Sequence, residues 1–563
     1  MNVRVQSAAL GQIETTPTPA PVSRSRWAAA WLPPGLALLV ALLATGTTIL
    51  AMRHTSPTFD EIVLVAGGAR GFTNGRFDLA PEHPPLMQYV YGLPVYLSHP
   101  HYPHERTGAT PRYFEYRYEY ARALYFASGN DPERVAFLGR LPAALLVLTL
   151  VLLAYAFTRR RVGPWAALLA ATLVAFLPDV LAHGGVAYND LPLALAYLLA
   201  VWALDVAVRR PGVRTGLLSG AAVALAVGVK FSGGGVVVVG LVLLLLEAVV
   251  RLRDKSWRRS VAVAVVAALV GGYLTLVLIY RGDFALAEMR YGIRYTLLHV
   301  ALGHGAPAYL LGRTSVEGWW YFFPVAFLLK TPVALHLLAL AAVLGAVGQR
   351  TKEAGSAVLA GPLRPAWVGA LVFTAFLLTA HLEIGFRYAL PVLPLVCVLV
   401  AAGVARLWRR TTRVVRAALV ALVLWFAAST LSFYPDFLAY TSEYGPGADH
   451  GDELLLDSSL DWGQGLLALR DWMRAEHVPR VYLGYFGSDL PAAYGIDYLP
   501  LPSYFPLALP ARPPVESGDP KYVVLSATLL HPVYFPGDPF ARFRKVRPYR
   551  VLAHDLYVYR LHD

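Results

Sequence analysis

Two adjacent acids, Asp60 and Glu61, stand directly after the first long apolar run, in the stretch "SPTFDEIVLVAGG". Other residues able to hold charge or move a proton recur where later apolar runs begin or end. They are His83 in "EHPP", Asp190 in "HGGVAYND", Lys230 before "FSGGG", His304 in "GHGAPAYLLG", Lys330 in "FLLKTP" and Arg387 in "HLEIGFRY". Paired carboxylates facing several cations suit one kind of chemistry: a carboxylate takes the proton of an acceptor hydroxyl while cations hold a phosphate leaving group. At a membrane surface the substrate expected for such a set is a sugar phosphate carried on a lipid.

Each residue also has a plainer reading. Asp60 could be a helix cap or an interfacial anchor, and Asp190, with Asn189 before it, could simply cap a helix. Glu383 and Arg387, at i and i+4, could pair with each other alone. His83, His183 and His304 show no metal-ligand spacing, and a lone histidine is more often structural than a ligand. The recurrence of these residues at one depth argues for function more strongly than any single one does.

That depth depends on the elements that must position them. With 563 residues, 56% hydrophobic and 15% charged, the chain is too apolar for a soluble multidomain protein, and its apolar residues fall in long runs. Candidate spans are 31–52, 136–157, 165–181, 191–208, 217–229, 236–250, 261–280, 331–347, 366–380, 389–407 and 417–432, about eleven in all. Several are shorter than the ~20 residues of a perpendicular helix, so 217–229 and 236–250 could form a broken or re-entrant pair. The net charge of +13 sits in short clusters between the runs rather than on one soluble face, which excludes a nucleic-acid binder. These clusters, such as "RRR" at 159–161 and "RLWRRTTRVVR" at 406–416, share one side when the spans alternate, and the positive-inside rule makes that side the cytoplasm. The acids then face outward. Cys397, the single cysteine, lies within an apolar run and allows no intrachain disulfide.

The expected organisation is a disordered cytoplasmic tail over 1–30, a helical bundle over 31–432 and an extracytoplasmic α/β domain over 433–563. Residues 53–135 form a first outer loop with amphipathic interfacial helices in "MQYVYGLPVYL" and "YFEYRYEYARALYF". Lys330 would lie deep in the bilayer if its helix began near Trp319. A break at Pro324 and Pro332 instead brings it to the outer plane, which keeps the charge near water.

The strings "FDE", "HPPL", "ND", "GHGAPAYLLG", "GWWYFFPVAFLLKTP" and "RYALPVLP" together resemble the bacterial branch of family 39 glycosyltransferases, relatives of protein O-mannosyltransferases and of the lipid A aminoarabinose transferase. The resemblance covers nearly the whole chain, and the tail motifs "LDSSLDWGQGL" and "AAYGIDYLP" are similar to the outer domain of one bacterial subgroup. It implies the GT-C fold, an all-α polytopic bundle with its active site on the non-cytoplasmic side of the inner membrane. It also implies an inverting mechanism, a polyprenyl-phosphate sugar donor and a hydroxyl acceptor on protein, lipid or glycan. Asp60 matches the family's catalytic acid, Glu61 its neighbour and Asp190 the second acidic position. Two departures are "YNDLP", where relatives often have Thr-Asp, and Ser459, where they commonly show Asn.

Charge assigns Lys330 and Arg387 to the donor phosphate, where His304 is expected as well, and His83, Lys230 and Asp461 are the residues expected to bind substrate. Asp60 and Asp190 could share Mg²⁺ or Mn²⁺, or the cations alone could neutralise the phosphate. In the tail, Asp461 could cap a helix starting near Gly463 while Trp462 packs on the bundle, or Asp457 and Asp461 could line an acceptor groove. A polyprenyl-linked transporter or flippase, and a non-catalytic scaffold for the outer domain, are the competing functions. A transporter would place its charges at mid-membrane and often carry an internal repeat, neither of which the sequence shows.

Overall fold

A computed structural model describes residues 24–104, 113–251, 253–301, 306–347, 361–380, 382–507, 520–535 and 537–561. The chain begins with α1 (Arg24–Ala51) and folds three helices into the first long loop: α2 (Glu61–Asn74), α3 (Leu86–Leu97) and α4 (Tyr113–Arg122). Then come α5 (Pro132–Arg159), the bent pair α6 (Pro164–Ala175) and α7 (Pro178–Gly184), and α8 (Asp190–Arg209). They are followed by α9 (Val213–Val229), α10 (Val236–Arg251) and α11 (Lys255–Ile279). After α12 (Ala287–Ala301) and a hairpin of β1 (Ala308–Leu310) with β2 (Arg313–Ser315), a second bent pair joins α13 (Phe322–Lys330) to α14 (Val333–Val347). The bundle closes with α15 (Arg364–Leu378), α16 (Leu393–Trp408) and α17 (Arg413–Leu431).

Among the described residues, six helices are long and apolar enough to cross a membrane, or up to eight if each bent pair is one span, and α9, α15 and α16 are shorter apolar helices. Each apolar run of the sequence holds one of these helices or bent pairs, the build of a multi-pass membrane protein. The runs at 217–229 and 236–250 become α9 and α10, joined through a short 3-10 turn over Phe231–Gly235. A Cβ added to Gly216 would meet the Ala264 carbonyl oxygen at 2.3 Å, and one on Gly220 that of Ala268 at 1.9 Å. Small residues thus let α9 and α11 run in contact and in the same direction. At 331–332 the chain turns by 109°. Pro332 lacks an N–H and biases Thr331 to the extended backbone it adopts, φ −126° and ψ 142°, so α13 ends at Lys330. Pro324 breaks nothing, because it lies in the first turn of α13.

In the first loop, α3 and α4 coincide with the two amphipathic stretches. α2 is an addition, buried from Glu61 to Gly71 and crossed by α3 where Gly68 and Gly92 touch. Beyond α17 the chain forms α18 (Leu466–Ala475) and a five-stranded sheet from β3 (Val481–Gly484), β4 (Tyr498–Pro500), β5 (Tyr522–Ser526), β6 (Arg550–Leu552) and β7 (Leu556–Arg560). The strand order is β4-β3-β5-β7-β6, with β3 parallel to β4 and β5, and β7 antiparallel to its neighbours. Leu466, Leu469 and Trp472 of α18 pack on Leu483, Val524 and Val558 to give the sheet a small core of its own. Residues such as Phe486, Leu525 and Tyr557 belong instead to the core shared with the bundle. This joint core fixes the sheet domain over the helix ends where Asp60 and Asp190 lie.

Candidate active site

The short segment between α1 and α2 is held by the sheet domain. Ser56 N donates to Gln464 O at 3.0 Å and Phe59 N to Trp462 O at 2.8 Å, while Ser488 Oγ donates to Phe59 O at 2.7 Å. Asp60 follows at the N-cap position of α2, yet its side chain makes no capping hydrogen bond. It accepts from Tyr118 Oη at 2.8 Å and lies 4.0 Å from Arg387 Nη2, with 28% of the side chain exposed. The capping reading therefore fails for Asp60. It fails for the "ND" pair too: Asn189 donates to Val229 O at 2.8 Å and Asp190 turns to two cations.

Those cations organise the site. Asp190 Oδ1 is 2.5 Å from Lys230 Nζ, and Asp190 Oδ2 is 3.3 Å from Arg387 Nη1. One guanidinium thus joins two carboxylates through different nitrogens, its planar fork suited to the task. Arg387 also lies over the rings of Trp462, Tyr188 and Tyr388, at 4.2, 4.9 and 5.1 Å, and Lys230 lies 4.5 Å from the Tyr388 centroid. Glu383 receives Trp319 N instead of serving as Arg387's sole partner. Asp60, Asp190, Lys230 and Arg387, from four separate loops, converge as their common depth suggested.

His83 joins the rim of this set. Its Nε2 is 2.9 Å from Tyr188 Oη, and burial, with Lys230 and Arg117 nearby, holds the imidazole down at about 3, so it is neutral at physiological pH. Glu61 faces away. Fully buried, it takes Arg140 Nε and Nη2 at 2.7 and 2.8 Å and the N–H groups of Thr58 and Ala187, so its oxygens are filled by partners that also tie α2 to α5.

Lys330 does not reach the cluster. Its Nζ donates to the carbonyl oxygens of Leu438, Tyr440 and Ser459 at 2.8, 2.7 and 2.6 Å, which uses all three ammonium hydrogens and leaves none for a phosphate. Asp461 is likewise committed, accepting from Thr528 N at 2.9 Å and Gly463 N at 3.2 Å. It closes a turn at Gly463 but does not cap α18, which starts at Leu466 behind Gly465. Trp462 does pack on the bundle, edge-on to Tyr188 and His183. Ser459 now has a visible role: its Oγ accepts Phe386 N at 3.0 Å, beside Arg387. His304 lies outside the described residues.

Sequence reasoning passed over Tyr118, Tyr188 and Arg140. Arg140 carried a usable signal, a charge within an apolar run. The two tyrosines carried none beyond their nearness to quoted motifs. Among the described residues no group of three or more His, Cys, Asp and Glu side chains is placed to hold a metal ion. A divalent ion shared by Asp60 and Asp190 does not fit, because the Arg387 guanidinium already serves both carboxylates and Lys230 adds a second cation.

Residues 69–280, which contain the "HPPL" and "ND" strings, match the family model described as dolichyl-phosphate-mannose-protein mannosyltransferase, in agreement with the resemblance the motifs carry. No curated protein matches the chain. Among solved structures the chain is similar to ArnT from Cupriavidus metallidurans bound to undecaprenyl phosphate, at 14% identity and a TM-score of 0.47 over 94% of this chain and 98% of that one. It is also similar to the oligosaccharyltransferase AglB from Archaeoglobus fulgidus in complex with an inhibitory peptide and a dolichol-phosphate. That match is at 14% identity and a TM-score of 0.42, over 76% of this chain and 60% of that one.

Proposed function

We propose that this protein is an inverting glycosyltransferase that moves a sugar from a polyprenyl-phosphate carrier to a hydroxyl-bearing acceptor on the non-cytoplasmic face of the membrane. One observation carries the reading: Asp60 is a part-exposed carboxylate whose side chain makes no capping bond, set 4.0 Å from a guanidinium that also holds Asp190, itself paired with Lys230. The family match over 69–280 supports the class of donor. In the proposed step the acceptor oxygen attacks the anomeric carbon and its proton passes to Asp60. The bond from that carbon to the phosphate oxygen breaks with its electron pair on the phosphate, and attack from the opposite face inverts the centre. Arg387 and Lys230 stabilise the released phosphate, and Asp190 positions both cations. Glu61, buried on Arg140, fixes the turn that presents Asp60. Lys330 and Asp461 hold the sheet domain in place.

The test is genetic and chemical. Mass spectrometry of envelope glycans and glycoproteins from a deletion strain identifies the missing product. Asp60→Asn, present at parental level and folded, is expected to lower its formation by at least ~10²-fold, the usual scale of general-base loss. Full restoration by Asp60→Asn refutes the assignment.

A further inference from the structure

An aromatic patch adjoins Asp60, and the sheet domain supplies most of it. Phe59, the neighbour of Asp60, stacks on Phe486 and Phe505 at 5.4 and 5.3 Å and meets Tyr504 edge-on at 5.1 Å. Tyr504 in turn contacts Tyr534 edge-on at 5.2 Å, and Tyr534 Oη donates to Asp457 Oδ2. Asp457 holds a left-handed backbone, φ 53°, a conformation that a non-glycine residue adopts at some cost and that is typical of functional loops. Burial first, and then the charges of Asp60 and Asp457, keep the Tyr504 phenol above its ordinary value, with Arg117 acting in the opposite sense. Tyr504, Phe505 and Tyr534 each keep part of their surface exposed, whereas Phe59 and Phe486 behind them are closed to solvent.

Resting on the glycosyltransferase reading, we infer that Tyr504, Tyr534 and Asp457 form the acceptor subsite, and that the acceptor is a neutral carbohydrate whose hydroxyl is delivered to Asp60. The chemistry of the face selects this class. A pyranose offers an apolar C–H face for a flat ring and an equatorial set of hydroxyls for carboxylates and phenols, and the patch supplies both kinds of partner. An acceptor bearing phosphates would meet the Asp60 and Asp457 carboxylates, while Arg387 and Lys230 serve the donor, Arg117 is paired with Glu82, and Arg122 lies over Phe505 and donates to Ser488 O.

The experiment uses the full-length protein, purified in nanodiscs and expressed in the deletion strain. Tyr504→Ala and the milder Tyr534→Phe are compared with the parent in three measurements: thermal unfolding, binding of undecaprenyl phosphate, and the linkage and amount of product. The expected result is parental unfolding and undecaprenyl phosphate binding, a sugar-to-sugar linkage, and product lowered roughly tenfold by Tyr504→Ala, the scale of one lost aromatic contact. A product linked to a serine or threonine, or to a phosphate-bearing lipid, overturns the inference. So does parental product from both variants, or a joint loss of stability and undecaprenyl phosphate binding, which would make the rings packing alone. If the parent binds no undecaprenyl phosphate and Asp60→Asn makes full product, the transferase reading itself falls and takes this inference with it.

Discussion

Lys330→Met separates a phosphate ligand from a structural strut. In the structure the ammonium makes three short hydrogen bonds to buried carbonyls: two on the segment leaving α17, and one at Ser459 beside the turn that carries Trp462. Bonds to a charged group contribute about 1.5–3 kcal/mol each, but part of that is returned because the ammonium must first be taken out of water. Methionine fills much of the volume, yet leaves three carbonyls without partners. The net loss is therefore on the order of 3–5 kcal/mol, the scale of breaking a buried polar network by removing one side. Thermal unfolding followed by tryptophan fluorescence should show a lower melting temperature. The fraction that remains folded should bind undecaprenyl phosphate as the parent does, since Lys330 does not touch Arg387, Lys230 or Asp60. A parental melting temperature together with donor binding weakened tenfold or more would refute this account and return Lys330 to the phosphate.

Arg387→Lys keeps the charge but loses the fork that serves Asp60 and Asp190 together; undecaprenyl phosphate binding should weaken by about one to two decades, and unchanged affinity would place the phosphate elsewhere. Arg140→Met leaves Glu61 buried without its main partner, so stability should fall by roughly 3–5 kcal/mol; a folded variant with normal stability and no turnover would instead make Glu61 part of the chemistry. Burial pushes Asp461 up to about 7 from 3.8. A carboxyl raised in the folded state binds more protons there, so its contribution to stability is present at low pH and lost as pH rises from about 4 to 7. Melting temperatures of the parent should thus fall across that window more steeply than those of Asp461→Asn, and parallel curves would show that Asp461 stays ionised.

Part of the site was legible because its members border apolar runs, where a charge has few excuses. Asp60, Asp190, Lys230 and Arg387 each do so, and a bundle brings residues at one depth together whatever their separation in sequence. Lys330 satisfies the same criterion and behaves otherwise. Its partners are backbone carbonyls more than a hundred residues away, and since every residue has a carbonyl, no pattern of side chains announces them. Glu61 was misread for a different reason. Neighbours at a helix start point about a hundred degrees apart, so Asp60 can face the opening while Glu61 faces the core. A second charge network lies elsewhere in the bundle, where Arg364 pairs with Glu247 at 2.6 Å and with Asp205 at 3.3 Å. The two networks differ in their access to solvent. Around Arg364 the acids and the arginine are all buried, and the set joins α8, α10 and α15. Around Arg387 one acid stays part-exposed and the cations rest on aromatic rings that a ligand can displace or cover. A charge network closed on itself clamps helices; one left open on a single side can take a substrate, and here the open side carries Asp60.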